Sequence, residues 1–317
     1  MKAIQVNEFG GPEVLVPTEL PDPVAGDGEV IVDVTSAGIN YADTHQTENT
    51  YLAPATLPLV PGAEVVGTTP EGERVVALVA GGGYAERVAV NRALAFPIPD
   101  GVSDGDALAI VLQGTTAWHL LRTSARMRDG EKVLVHAGAG GVGTLAIQLA
   151  KRWGAGRVVA TASSEEKRAL TLELGADAAI DGDPENLKAA AVEAAGGRLD
   201  IVLEMVGGKT FDASLAALAP FGRVITYGQA SREQPEPVAP GKLLVRSAGI
   251  LGFWLAHCFG NPAELLRPQV AELLALVAAG DLRPVVGGTY PLSEARRAHE
   301  DMRARASTGK LVLDPSK

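Results

Sequence analysis

The chain has 317 residues, of which 46% are hydrophobic, and a formal net charge of -10. That length suggests about two domains with ample apolar content for two cores. The acidic balance argues against a nucleic-acid or anionic-membrane surface, and no apolar run reaches membrane-spanning length. Cys258 is the only cysteine, which excludes an internal disulfide and a thiolate-rich zinc site and leaves it as a small buried hydrophobe. Met1 leads directly into a strand-like run with no basic-then-apolar leader, so the cytoplasm is the expected compartment.

In chain order, residues 2–6, 29–36, 63–68, 74–78 and 84–90 are short strand-like runs broken by Gly and Pro, which predict an all-β, barrel-like lobe. From Asp104 the pattern becomes helical segments alternating with strands at 133–135, 158–161, 178–180, 201–204, 222–227 and 249–253. Such alternation predicts an α/β unit with a parallel, doubly wound sheet. A helix over 262–279 then leads to a strand at 288–291, a short helix from Ser293 and a strand at 310–313. These last pieces are too small for a domain and are expected to return to the first lobe. The expected division is 1–115, 116–257 and 258–317, the last completing the first. Residues 232–240 form the one Pro-rich, charged loop.

The stretch from Lys132 to Lys151 runs from an apolar strand through a glycine cluster into a helix with a broad apolar face. Gly138, Gly140 and Gly143 stand at GxGxxG spacing, where the first allows a tight turn, the second lets backbone approach a pyrophosphate and the third packs helix on strand. The anion would sit on the helix N-terminus. At the end of the next strand, where an Asp or Glu would grip the ribose of NAD, stands Ser163, followed by Ser164, Lys167 and Arg168. Hydroxyls and cations in place of a carboxylate favour NADPH over NADH, against which Glu165 and Glu166 weigh. Ser163 and Glu166 also fit a helix capping box.

Four further motifs accompany the glycine loop: Ala37-Gly-Ile-Asn-Tyr-Ala-Asp43, Pro58-Leu-Val-Pro-Gly-Ala-Glu-Val-Val-Gly67, Gln113-Gly-Thr-Thr-Ala-Trp118 and Thr308-Gly-Lys-Leu-Val312. With Val135-His-Ala-Gly-Ala-Gly-Gly-Val-Gly143, they resemble the zinc-independent branch of the medium-chain dehydrogenase/reductase superfamily, the NADPH:quinone oxidoreductases that include zeta-crystallin. The resemblance runs over nearly the whole chain. It implies a GroES-like β-barrel catalytic lobe beside the Rossmann sheet, hydride transfer in a cleft between them, and a homodimer formed through the sheet edge at the strand from Gly249. Zinc-dependent relatives carry a cysteine in the Gly-Ile-Asn region and a histidine before the glutamate. Asn40 or its neighbours and Ala63 stand in those places, so no metal site is expected.

The resemblance also implies Asn40 beside the nicotinamide, Tyr51 at the substrate mouth and Thr116 near the nicotinamide half. An amide or phenol there would hydrogen-bond a carbonyl gaining negative charge. From the residues alone, Asn40 serves equally as a turn cap and Tyr51 as an ordinary half-buried aromatic. Gly141 and Val142 belong to the glycine loop, and Val206 to a loop against the adenosine side. Gly228 and Phe253 are placed against the cofactor through backbone groups, with core packing the competing reading for Phe253. Arg305 and Lys310 are placed toward the phosphate region, with a solvated helix end as the alternative. Glu64 reads as a structural carboxylate, and His45, His119 and His136 are assigned to no proton relay. The family's usual tyrosine after Gly-Ala-Asp is absent, since Asp181-Gly182 stands there. The expected activity is NADPH-dependent reduction of a small-molecule quinone or enone, the alternatives being reduction of α,β-unsaturated thioesters or ketones and cofactor binding with little turnover.

Overall fold

The computed structural model describes residues 1–317 as two compact units, Met1–Thr115 with Ala256–Lys317, and Thr116–Leu255. The strands are β1 (Lys2–Gln5), β2 (Val16–Glu19), β3 (Glu29–Ile39), β4 (Glu64–Thr68), β5 (Arg74–Leu78), β6 (Arg87–Asn91), β7 (Ala95–Pro97), β8 (Lys132–Val135), β9 (Arg157–Thr161), β10 (Ala178–Ile180), β11 (Leu199–Glu204), β12 (Leu218–Thr226), β13 (Gly249–Gly252), β14 (Val286–Pro291) and β15 (Lys310–Asp314). β14 and β15 lie in the first unit.

In that unit a seven-stranded sheet runs β14-β15-β3-β4-β5-β7, with β6 also paired to β3, beside a β1-β2 hairpin. β3 shows the alternating burial of a half-covered strand, and its inward residues Val30, Val32 and Ile39 join Ile4, Val65, Ala77, Tyr84, Val90, Leu311 and Leu313 in one core. The pairing of β15 with β3, Leu311 opposite Ile39, brings the end of the chain beside residues 39 and 40. This register builds the first site described below.

The second unit is a six-stranded sheet in the order β10-β9-β8-β11-β12-β13, parallel at every pairing. Numbered from β8, that order is 3-2-1-4-5-6, the doubly wound dinucleotide fold, whose switch point lies between β8 and β11. Val133, Leu134 and Val135 are all buried rather than alternating, as expected where both sheet faces are covered.

Three local expectations need correction, and two strands were not read at all. The helix expected over 262–279 is broken into Pro262–Leu265 and Arg267–Ala278, because Pro268 has no N–H to continue the ladder. The carbonyl of Glu264 thus released accepts instead from Gln269 Nε2 at 3.0 Å. The strand expected over 84–90 is Arg87–Asn91, and Tyr84 lies before it as a fully buried ring. Strands β2 and β7 carry too little apolar periodicity to be read from sequence. Finally, no capping box forms at Ser163 and Glu166; Ser164 Oγ accepts from Lys167 N at 3.2 Å and starts the helix Glu165–Glu173 one residue later.

Leu134 is fully buried in the second core with Val159, Val202, Phe211 and Val224. Leu134→Ala is expected to lower the unfolding free energy by about 2–5 kcal/mol, measured by denaturant titration.

Candidate functional site

In the first unit, the end of β3 and the helix Tyr41–Thr47 meet at Asn40, the helix N-cap, which forms a capping box with Asp43. Its carboxamide, 5% exposed, is turned into the interior. Asn40 Nδ2 donates to Glu64 Oε1 at 2.8 Å, while Oδ1 accepts from Gln113 Nε2 at 3.1 Å and from Lys310 Nζ at 3.2 Å. Lys310 also donates to the Ile39 carbonyl at 3.2 Å and forms an ion pair with Glu64; both side chains are completely buried. Glu64 reaches this point across β3 only because residue 38 is glycine. A Cβ there would lie 2.3 Å from Glu64 Oε1. Two acceptors in the cluster, Glu64 Oε2 and Gln113 Oε1, are buried without a partner.

A second buried group adjoins the first through the backbone. Asp43 Oδ2 accepts from Asn40 N at 2.9 Å and from the Tyr84 hydroxyl at 2.8 Å. With the phenol proton so used, His299 Nε2 donates to the Tyr84 oxygen at 3.0 Å and Nδ1 is left bare and buried. Burial raises the Asp43 carboxyl to about 6 and lowers the His299 imidazole to about 4.

In the second unit, β8 ends in the glycine loop. The left-handed residue of the turn is Ala137, φ 48°, so Gly138 does not serve the tight turn as expected. A Cβ on Gly138 would instead stand 2.8 Å from Ala160 Cβ and 2.9 Å from Thr171 Cγ2, so its role is close packing on β9. Gly143 brings the helix Gly141–Arg152 onto the turn, where a Cβ would fall 2.3 Å from the Ala137 carbonyl oxygen. The N-cap is Gly140, which has no side chain to cap the helix and no partner in that role. The first-turn amides of Gly141, Val142 and Gly143 are therefore available to an anion.

The loop is fixed from beneath by His136. Ser214 Oγ spends its proton on the Thr210 carbonyl, so it accepts from His136 Nε2 at 2.8 Å. Nδ1 then accepts from Thr161 Oγ1 at 3.2 Å, and that hydroxyl oxygen accepts from Ala137 N. Burial lowers this imidazole to about 4, so it is neutral and saturated. Across the switch point, Glu204 Oε1 caps Val206 N and Gly207 N at 2.7 and 2.9 Å.

The remaining expected residues are placed as follows. Ser163 is exposed just beyond β9, and Lys167 is half-buried one turn into the next helix. Arg168 Nη1 donates to the Ala162 carbonyl at 3.1 Å and pairs with Asp181 at 3.4 Å. Thr116 is buried at the start of the second unit, and Tyr51 is half-buried in the loop after the helix Tyr41–Thr47. Gly228 lies on an exposed turn against Met205, and Phe253 stacks on His119 with ring centroids 5.5 Å apart. Arg305 is exposed in a left-handed cap, φ 56°, after the helix Ala295–Arg303.

Lys310 is the clear correction. A phosphate contact is ruled out for an ammonium that is 0% exposed and committed to Glu64, Asn40 and Ile39. The sequence carried one clue, a lysine at the head of the strand 310–313 whose following residues are all apolar. Gln113 and the Asp43–Tyr84–His299 group were not anticipated as partners, because their contacts span 41 to 215 residues.

A GroES-like sheet followed by a dinucleotide fold defines a dehydrogenase or reductase of the medium-chain class. Residues 26–100 match the alcohol dehydrogenase GroES-like domain, and residues 141–278 the family described as zinc-binding dehydrogenase. The chain is 34% identical to a quinone oxidoreductase of Pseudomonas aeruginosa, with 99% of each chain covered, and 32% identical to that of Homo sapiens, with 99% and 97% covered. Among solved structures, the Thermus thermophilus quinone oxidoreductase, described with its NADPH complex, superposes with a TM-score of 0.85 at 39% identity, covering 99% of this chain and all of that one. The Escherichia coli quinone oxidoreductase complexed with NADPH superposes at 0.92 with 30% identity, again over 99% and 100%. The chain belongs to the quinone oxidoreductase family.

Between pH 6.5 and 4 the two buried histidines take up protons only when the chain unfolds, which destabilises the fold as pH drops. Asp43 works in the opposite sense, because its raised pKa makes the folded state the better proton binder as pH falls through about 6 toward 3.8. Two such terms outweigh one, so the thermal midpoint is expected to fall on acidification through this window. His136→Asn should make that fall shallower and Asp43→Asn steeper, as read by calorimetry at stepped pH.

Proposed function

We propose that the protein is an NADPH-dependent reductase of quinones and related conjugated carbonyls, acting by direct hydride transfer without zinc. The observation that carries this reading is the glycine cradle: an uncapped helix start at Gly140 whose packing leaves no room for a Cβ at Gly143. A dinucleotide pyrophosphate fits it, held by the amides of residues 141–143. The relatives named quinone oxidoreductase and the neighbours solved with NADPH support the same assignment.

NADPH supplies the hydride. Ser163 in place of an acidic residue removes the carboxylate that would repel a 2′-phosphate, and Ser164, Lys167 and Arg168 surround that position with hydroxyls and cations. Lys167 and Arg168 are both assigned to the phosphate, Arg168 also pairing with Asp181. A quinone spreads incoming charge over a conjugated system and needs no Lewis acid, and neither Asn40 nor Ala63 has a thiolate or imidazole to hold one. Asn40 is assigned to the acceptor's carbonyl oxygen as it gains charge, and Thr116 and Tyr51 are also assigned catalytic roles. Gly228 and Phe253 are assigned to the cofactor through their backbone, and Val206 to its adenosine side.

Two copies are proposed to join along β13, the edge of the parallel sheet. Leu251 on that strand is exposed, as are Leu244 and Val245 at 81% and 88%, an apolar surface that a second chain would cover. No helix is long and apolar enough to cross a membrane.

Oxidation of NADPH, followed at its nicotinamide absorbance against a panel of quinones, enones and enoyl thioesters, tests the activity. Turnover with quinones and tighter binding of NADPH than NADH are expected. Turnover confined to enoyl thioesters, or tight binding with no turnover, would replace this reading by one of its alternatives. Lys167→Glu should weaken NADPH by about tenfold or more while sparing NADH, the ~1.5–3 kcal/mol of a hydrogen bond to a charged group. Gly143→Ala should abolish binding of both cofactors in fluorescence titration, since its methyl displaces the turn at Ala137.

A further inference from the structure

We propose that Lys310 and Gln113 are positioning residues that lock the Asn40 carboxamide in one orientation, so that its single uncommitted hydrogen-bonding group is an N–H donor. A primary amide offers two acceptor lone pairs on oxygen and two N–H donors on nitrogen. At Asn40, Lys310 Nζ and Gln113 Nε2 fill both lone pairs of Oδ1, and Glu64 Oε1 takes one hydrogen of Nδ2. Three of the four capacities are used. The fourth is an N–H.

The reverse orientation is blocked by chemistry at Lys310 and at Glu64, and it would oblige Gln113 to turn its own amide over as well. It would set N–H groups against an ammonium, which accepts nothing. It would also set an oxygen against the Glu64 carboxylate, which donates nothing. The ion pair between Lys310 and Glu64 is wholly buried, so solvent does not soften these contacts. Helix capping favours the same orientation, because in the capping box the Asn40 side chain faces the Asp43 backbone N–H as an acceptor while the Asp43 carboxylate accepts from Asn40 N. An N–H meets an oxygen that becomes negative as hydride arrives, whereas a flipped amide would present a repelling oxygen. The consequence for catalysis rests on the functional reading above; the orientation itself rests only on the first unit's contacts.

A double-mutant cycle tests the catalytic half. Asn40→Ala should lower kcat on the order of 10²-fold, as for loss of one oxyanion donor. Lys310→Met and Gln113→Leu should each lower kcat, leave the NADPH dissociation constant within about twofold, and add nothing further in the Asn40→Ala background. Gln113→Leu leaves the ion pair intact and decides the matter if Lys310→Met does not fold. Losses that simply add to that of Asn40→Ala would overturn the proposal, since residues acting through Asn40 have no effect once it is gone.

The orientation is read without turnover from the Asn40 side-chain NH2 signals in an asparagine-labelled NMR spectrum of cofactor-free protein. Two slowly exchanging, well-separated hydrogens are expected in the wild type, with exchange accelerated in Gln113→Leu. Unchanged exchange would overturn the lock, whatever the substrate panel shows. A wild type that reduces no conjugated carbonyl but retains the expected NMR behaviour would overturn the functional reading alone.

Discussion

The buried pair of Lys310 and Glu64 is the constraint around which the first unit is arranged. Moving two charges out of water costs several kcal/mol per ion, and the cost is met only where geometry and additional hydrogen bonds are good. Here the additional partners are the Ile39 carbonyl and the Asn40 amide, so the pair and the candidate catalytic side chain are satisfied by one network. β3, β4 and β15 each supply a part of it. The pairing of Leu311 with Ile39 brings the lysine in, and the missing Cβ of Gly38 lets the glutamate cross.

The second unit solves a different problem with a different material. Its site is made of backbone, exposed by glycine and oriented by a helix start, and the neighbouring side chains act as supports. His136 illustrates this: neutral, with Nε2–H committed to Ser214 and Nδ1 to Thr161, it ties the ends of β8 and β9 to the helix Gly208–Ala217. Glu204 does the same for the loop after β11 by capping two amides. Backbone suits an anion shared by many substrates, whereas a directional carboxamide suits the point where charge changes.

The two sites also differ in how titration touches them. Asp43, Tyr84 and His299 are linked by hydrogen bonds in which each group keeps its ordinary neutral-pH proton partner, and burial shifts the acid upward and the base downward. With His299 neutral, no fixed net charge beyond the Asp43 carboxylate accumulates around Asn40 from that side.

Much of this was legible from residue order because it is local. Alternation along 29–36, the apolar run at 133–135 and the GxGxxG spacing report backbone periodicity and chain flexibility, which act over a few residues. The family resemblance, not periodicity, singled out Asn40 through the Gly-Ile-Asn motif, whereas Ser163 was singled out by its distance from the glycines. Residue order could not assign Lys310, because a lysine's partner is decided by strand register 246 residues away. Nor could it foresee that Ala137 rather than Gly138 takes the left-handed turn, since that depends on Ala160 and Thr171 crowding Gly138. Sequence by itself determined the order of elements, the cofactor-type loop and the absence of the usual zinc-ligand side chains at Asn40 and Ala63. Tertiary structure alone decided which polar groups share a buried space, because the pairing of distant strands, not the chain between them, sets those distances.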